Sequence, residues 1–220
     1  MKTQLTLVIG DKNLSSWSMR PWLALKASGL PFREVRIALD TPKTRARIAH
    51  HSPSGKVPVL QIRGAGRPSL HVWDSLAICE TIAELAPRVN LWPSNPLARA
   101  RARAYAAEMH SGFSSLRTQL SMDIKLRMKV KHLLPQTVAD IRRVHAIWKE
   151  ALGRSDGPFL FGEFGIVDAF YAPVVMRFVS YGIETRDKTI VRYMEDIQTQ
   201  PFVKAWVKSA RRENPRYALF

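Results

Sequence analysis

The chain has 220 residues, 46% of them apolar and 24% charged, which is enough to bury a core and too hydrophobic for a disordered tail. Thirty-four Lys and Arg against 18 Asp and Glu leave a net charge of +16, a field that draws anions without saying which. The single cysteine, Cys79, excludes an internal disulfide, a C-x-x-C redox pair and a cysteine zinc site. No apolar run approaches the roughly 20 residues of a membrane-spanning helix, so a soluble, cytoplasmic protein with no membrane partner is expected.

In chain order, residues 5–9 form a short apolar run that reads as a buried strand. Residues 18–28 place Trp22, Leu23, Leu25 and Lys26 at helical spacing, with Gly29 where a left-handed C-cap belongs. Residues 34–39 alternate into a second strand, and 41–50 read as a short basic helix. Residues 57–62 and 70–73, separated by Gly64-Ala65-Gly66, read as an antiparallel hairpin. Asp74 and Ser75 then cap a helix running to about Ala86, with Cys79 on its buried face. This is a βαβ-α-ββα order, an α/β unit.

Pro87, Pro93 and Pro96 break regular structure, and residues 87–96 read as a linker. Beyond it, 97–123, 136–152, 165–181 and 187 to the C-terminus carry apolar residues at three- and four-residue intervals, so four helical stretches and no strand are expected. The organisation expected is therefore an α/β domain over 1–86 and an all-helical domain over 97–220. Residues 97–154 hold 12 basic and 4 acidic side chains, spread singly, the pattern of a solvated basic surface more than of a nucleic-acid groove.

Three segments can carry chemistry. The first is Asn13-Leu14-Ser15-Ser16-Trp17-Ser18, between the first strand and the first helix. A proline costs no intrahelical hydrogen bond only in the first turn, so Pro21 implies an N-cap at Ser18 or beyond, with Ser15 and Ser16 in the loop before the helix's positive end. That end, with free amides and a hydroxyl nearby, suits an anion or a thiolate. The second is Ser52-Pro53-Ser54-Gly55-Lys56-Val57-Pro58-Val59-Leu60, where Pro58 interrupts a strand pattern; taken alone it reads as an ordinary strand edge. The third is Asp74-Ser75-Leu76-Ala77-Ile78, which can cap its helix and also offer an amide and a hydroxyl to a carboxylate, and Asp74 to an ammonium. The six histidines lack an H-E-x-x-H spacing, and neither a phosphate-cradling glycine loop nor a G-x-S-x-G elbow is present.

The order and spacing of SSWSMRPWLAL, SPSGKVPVL and DSLAI, on this framework and over nearly the whole chain, resemble the soluble glutathione transferase family, in particular its serine-type zeta-class and related bacterial members. The resemblance implies an N-terminal thioredoxin-like domain followed by an all-helical domain, with glutathione as co-substrate and no metal. It implies Ser15 as the hydroxyl that hydrogen-bonds the glutathione sulfur, with Ser16 and Trp17 lining the loop. Val57 would pair its backbone with the cysteinyl unit, with a cis Pro58 behind it. Asp74 and Ser75 would hold the γ-glutamyl end, and Lys56 would face the glycyl carboxylate. A homodimer, a small electrophile bound near residues 110–117 and a role in detoxification are implied in the same way.

A free thiol with a pKa of about 8.5 is only a few per cent thiolate at neutral pH, and lowering that value by about two units needs roughly 2.7 kcal/mol. A hydrogen bond to a charged group supplies about 1.5–3 kcal/mol and a helix N-terminus about 0.3–1 kcal/mol, so no metal or general base is required. One position departs from the family, which usually places Ser or Thr three residues before the aspartate that caps a buried helix. Here Gly165 precedes Asp168, and since glycine is an acceptable N-cap, Gly165→Ser is expected not to reduce stability. The alternatives are a glutathione-dependent cis–trans isomerase of the maleylacetoacetate type and, in another class, a non-catalytic binding protein using the basic charge.

Overall fold

The computed structural model describes residues 3–64 and 68–213. Ala65 and Gly66 of the expected hairpin turn lie outside the described residues.

The chain begins with β1 (Gln4–Ile9), α1 (Ser16–Ser28), β2 (Phe32–Arg36), α2 (Thr44–His51), β3 (Val59–Arg63), β4 (Leu70–Trp73) and α3 (Ser75–Leu85). The four strands form one sheet in the order β2-β1-β3-β4, with β1 parallel to β2 and antiparallel to β3, and β3 antiparallel to β4. Side chains alternate across a strand, so the two faces of β1 bury different things. Leu5, Leu7 and Ile9 join Leu23 and Leu25 of α1 and Ile78 and Ile82 of α3 in the main core. Val8 faces the other way and packs with Val59, Ile37 and Ile48 of α2. The sheet is thus sandwiched between α1 with α3 and α2. Full burial of each such aliphatic side chain contributes about 1.5–3 kcal/mol. Cys79, with no exposed surface, belongs to the main core. β2 ends three residues earlier than its pattern predicts, because the amide of Leu39 leaves the ladder to donate to Asp11 Oδ2 (2.7 Å).

The second half consists of α4 (Pro96–Ser111), α5 (Ser114–Gln119), α6 (Pro135–Leu152), α7 (Ile166–Tyr181), α8 (Lys188–Thr199) and α9 (Pro201–Arg212). Two of the four expected helical stretches divide. The stretch 97–123 breaks at Gly112-Phe113 and stops being helical after Gln119: a Cβ on Gly112 would stand 2.7 Å from the Glu108 carbonyl oxygen, and Phe113 adopts φ +56°. The stretch from 187 divides at Pro201, which takes the first position of α9 and cannot continue α8.

Helix α7 is apolar on nearly every side and is the axis of the helical half, packing against α1, α4 and α8. Asp168 closes its N-terminus by accepting from the amides of Gly165 (3.0 Å) and Leu160 (3.0 Å) and from the Tyr193 hydroxyl (3.1 Å). Gly165 is required here for close approach and not as a mere substitute for serine. A Cβ at that position would stand 2.8 Å from the Leu91 carbonyl oxygen, which accepts from the Ile166 amide. The expectation that Gly165→Ser is harmless is therefore corrected. At the other end, the carbonyls of Ser180 and Tyr181, which α7 cannot satisfy internally, accept from the amides of Met128 and Val130.

Candidate active site at one edge of the sheet

The strand register brings the three sequence segments together. Val8 pairs with Val59 and Val59 with Trp73, so β1 ends, β3 begins and β4 ends at the same edge. From that edge emerge the loop carrying Ser15, the Lys56-Val57-Pro58 segment and the Asp74-Ser75 start of α3.

Ser15 is itself the N-cap of α1, which starts at Ser16. The sequence expectation of a cap at Ser18 or later is corrected: Pro21 sits inside the helix, in its second turn, where it leaves the Trp17 carbonyl without its intrahelical donor. The correction moves Ser15 closer to the positive end of the helix. Its Oγ accepts from the Ser18 amide (3.3 Å) and its hydroxyl donates to Ser18 Oγ (2.8 Å), which also accepts from the Gly10 amide (3.1 Å). The Ser15 proton can rotate from Ser18 toward a ligand while the capping lone pair stays engaged.

Ser16 Oγ accepts from Arg177 Nη2 (3.0 Å), whose Nη1 donates to the Leu120 carbonyl (2.6 Å). Trp17 is half-exposed and sits among cations, with the Arg20 guanidinium 4.3 Å and that of Arg117 5.3 Å from its ring centroid. The peptide bond between Val57 and Pro58 is cis, and among the described residues no hydrogen bond uses the Val57 amide or carbonyl. Asp74, at φ +73°, caps α3 through Oδ1, which accepts from Leu76 (2.8 Å) and Ala77 (3.3 Å). Its Oδ2 pairs with His110 Nε2 (3.1 Å). Ser75 Oγ is buried with no partner. Lys56 is the outlier: it is exposed and makes no hydrogen bond or ion pair among the described residues.

The electrostatics lean one way. Arg20 is buried, with Nε and Nη1 unpartnered, and burial, followed by the charges of Arg117 and Arg177, pushes it down to about 9. Burial and then Arg117 lower Arg177 to about 10. Burial also holds His110 below its usual range in spite of Asp74, so at neutral pH its ring donates to Asp74 as a neutral group. Three guanidinium groups repel one another beside two carboxylates, Asp74 and Asp140, and an anion bound among them relieves that repulsion. Burial pushes the Cys79 thiol up, so this cysteine is no nucleophile.

Two family models match the chain. One describes the glutathione S-transferase N-terminal domain, over residues 14–85, and the other its C-terminal domain, over 99–209. The chain belongs to the glutathione S-transferase family. Its relatives include a probable maleylacetoacetate isomerase from Caenorhabditis elegans, 33% identical over 46% of this chain and 44% of that protein. Another is a maleylacetoacetate isomerase from Rhizobium meliloti (strain 1021), 37% identical over 46% of this chain and 47% of that protein. In both, the match spans less than half of the relative's length. A solved glutathione transferase homolog from Burkholderia gl BGR1 with bound glutathione has the same fold, with TM-score 0.69 and 22% identity over 96% of this chain and 99% of that one.

In this glutathione S-transferase fold several groups around Ser15 escaped the sequence reading. Arg20 and Arg177 carried a usable signal, a charge in the middle of a helix whose other charged residue, Lys26 or Asp168, lies in an end turn. The residues that hold the loop before Ser15 carried none. Asn13 Nδ2 donates to Asp123 Oδ1 (2.9 Å) and its Oδ1 accepts from the Lys125 amide (3.0 Å). Glu213 accepts from the amides of Lys12 (2.9 Å) and Asn13 (3.0 Å), and Trp206 Nε1 donates to the Lys12 carbonyl (2.9 Å). Lys125 Nζ donates to the Glu213 carbonyl.

Proposed function

We propose that this chain is a glutathione transferase in which the Ser15 hydroxyl stabilises the thiolate of bound glutathione. The observation that carries this reading is the placement of Ser15 at the N-cap of α1, on the sheet edge shared with an unengaged Val57 backbone and the start of α3. Val57, whose amide and carbonyl are unpaired among the described residues just before β3, pairs with the cysteinyl unit. Ser75 and the amides at the start of α3 take the γ-glutamyl carboxylate, while Asp74 takes its ammonium, in exchange for His110. Ser16 and Trp17 line the sulfur's loop, and Lys56 faces the glycyl carboxylate. The thiol proton leaves to solvent, and the thiolate attacks an electrophilic carbon whose leaving group, such as halide, departs with the bonding pair. The electrophile sits over Trp17, between α1 and the stretch from His110 to Arg117. A cytoplasmic homodimer acting on toxic electrophiles completes the reading and rests on the family alone.

The test is Ser15→Ala. Losing a hydrogen bond to a charged sulfur lowers kcat/KM for glutathione with a chloro-nitrobenzene by about 10- to 100-fold and moves the pH profile of kcat/KM upward. Full activity with an unchanged thiol pKa would remove Ser15 from the role.

A second reading is favoured by the arginine cluster. Arg20, Arg117 and Arg177 suit a dianionic maleyl-type substrate, to which the thiolate adds, after which the former double bond rotates and the thiolate leaves. Turnover of maleylacetone with glutathione returned unconsumed supports isomerisation; consumption of glutathione by the chlorinated arene supports conjugation. Salt-sensitive binding of RNA or DNA without affinity for glutathione would instead mark a non-catalytic protein.

A further inference from the structure

Helix α2 covers only half of its face of the sheet. Ile48 packs on Val8, Val59 and Ile37, at the end of the strands from which the Ser15 loop emerges. Toward the other end, alternation along the strands and pairing across them put Arg33, Thr6, Gln61 and His71 in one row on that same face, with Gln4 and Arg63 in the next. The row crosses four strands, a span of about 14 Å. His51, from the last turn of α2, reaches down to it: its Nδ1 lies 3.4 Å from Gln61 Nε2, and the His50 ring centroid is 4.9 Å from its own. Arg47 stands one helical turn before His51.

This face is short of negative charge. Residues 41–73 hold six Lys and Arg and three His without one Asp or Glu, whereas ordinary surfaces intersperse both signs. Glu34, beside Arg33 in sequence, points to the opposite face, where its Oε2 accepts from Trp22 Nε1 (2.7 Å). Arg33, Arg47 and Arg63 are exposed, and none of them forms an ion pair among the described residues. The groups facing His51 are Gln61 of β3, His71 of β4 and His50 and Arg47 of α2. Burial, followed by His50, Arg47 and His71, holds its pKa below the usual range. An anion laid on the row relieves that repulsion.

We propose that this open half of the sheet binds single-stranded nucleic acid, with phosphates on Arg33, Arg47 and Arg63 and unstacked bases against the rings of His51 and His71. The amides of Gln4 and Gln61 lie between those cations and offer donors and acceptors to base edges. The row has no aliphatic side chain to insert among lipid tails, so a membrane gains only its surface charge there. An acidic peptide would use the cations but leave the ring faces unstacked, and a single strand uses both.

The inference does not rest on the reaction at Ser15, since the row lies at the far end of the strands, and its test uses no turnover. A fluorescein-labelled oligouridylate is titrated with the full chain by fluorescence anisotropy between about 50 and 200 mM salt, beside an RNA duplex of the same length and vesicles containing phosphatidylserine. The single strand binds at least about tenfold more tightly than either. Arg33→Gln and Arg63→Gln each lower the slope of log affinity against log salt by about 0.7, and together they weaken binding at least about tenfold. Binding tightens as pH falls from about 8 to 6, and combining His50→Gln, His51→Gln and His71→Gln removes that response. Arg142→Gln with Lys188→Gln, exposed elsewhere, changes neither the salt nor the pH response. Saturating glutathione leaves the affinity unchanged. Equal binding of duplex or vesicles, insensitivity to the Arg33 and Arg63 substitutions, a pH response that outlasts the three histidines, or displacement by glutathione would each overturn the inference.

Discussion

The sheet edge and the helical half meet at Ser15, and they hold it by different means. On the sheet side, the positions of Ser15, Val57 and Ser75 follow from three neighbouring strands and their register, with Val57 and Ser75 two residues from a strand end and Ser15 six. On the helical side, the loop of residues 11–13 is fixed by Asp123, Lys125, Trp206 and Glu213, partners more than a hundred positions away in the chain. The cations facing Trp17 divide in the same way, Arg20 from α1 and Arg117 from the helical half, with Arg177 of α7 behind Ser16. The sheet thus supplies the groups that recognise a ligand, whereas the helices fix their position and set the local charge. Damage to the helical half should then cost stability first and alter thiol chemistry only indirectly.

The largest effect is expected at Asp168. Asp168→Ala leaves the Gly165 and Leu160 amides and the Tyr193 hydroxyl buried without their acceptor, and stability measured by guanidinium denaturation falls by about 3–5 kcal/mol. A loss below about 1 kcal/mol would show that α7 is not the axis of the helical half. The pH dependence sharpens the point. Burial, against the pull of its donors, raises the carboxyl from 3.8 to about 6, so between those values the native state holds a proton that the unfolded chain has released. The contribution of this group is full below pH 3.8 and is lost as pH rises through about 6. Relative to Asp168→Asn, the wild type therefore loses about 3 kcal/mol over that window and the difference is flat above it.

Gly165→Ser comes next. The added Cβ meets the Leu91 carbonyl oxygen at 2.8 Å, and the backbone shift needed to clear it costs about 1–3 kcal/mol. A stability equal to or above that of wild type would mean that the new hydroxyl cap compensates for the displacement.

The sheet-side groups were legible because their signals are local: a serine run after a short apolar strand, a proline at a strand entry, an Asp-Ser pair opening a helix. The N-cap at Ser15 is not legible, because a first-turn preference for Pro21 points to a later start and the buried packing of α1 overrides it. The end of the helical pattern near residue 123, four residues past the end of α5 at Gln119, was legible. From Ile124 to Lys131 apolar and basic residues alternate strictly, a period of two that no helix carries. The pairing of Asn13 with Asp123 and of Glu213 with the amides of residues 12 and 13 was not legible, since a single polar residue in a loop does not encode which distant partner it meets.

Asn13→Ala gives the smallest effect and the sharpest separation of the two halves. It removes the donor to Asp123 and the acceptor for the Lys125 amide, both part-buried, while leaving Glu213 bound to the backbone at 12 and 13. The expected loss is about 1–2 kcal/mol, read as a lower denaturation midpoint with an unchanged slope. Ser15 keeps its cap to Ser18, so if its hydroxyl activates the thiol, that activation survives and the loop merely samples more positions. Activity with glutathione and a chloro-nitrobenzene then falls a few-fold through KM, with the pH profile of kcat/KM in place, whereas Ser15→Ala moves the profile itself. If Asn13→Ala also shifted the profile, positioning from the helical half would be inseparable from the chemistry of the sheet edge, and the division drawn between them would fail.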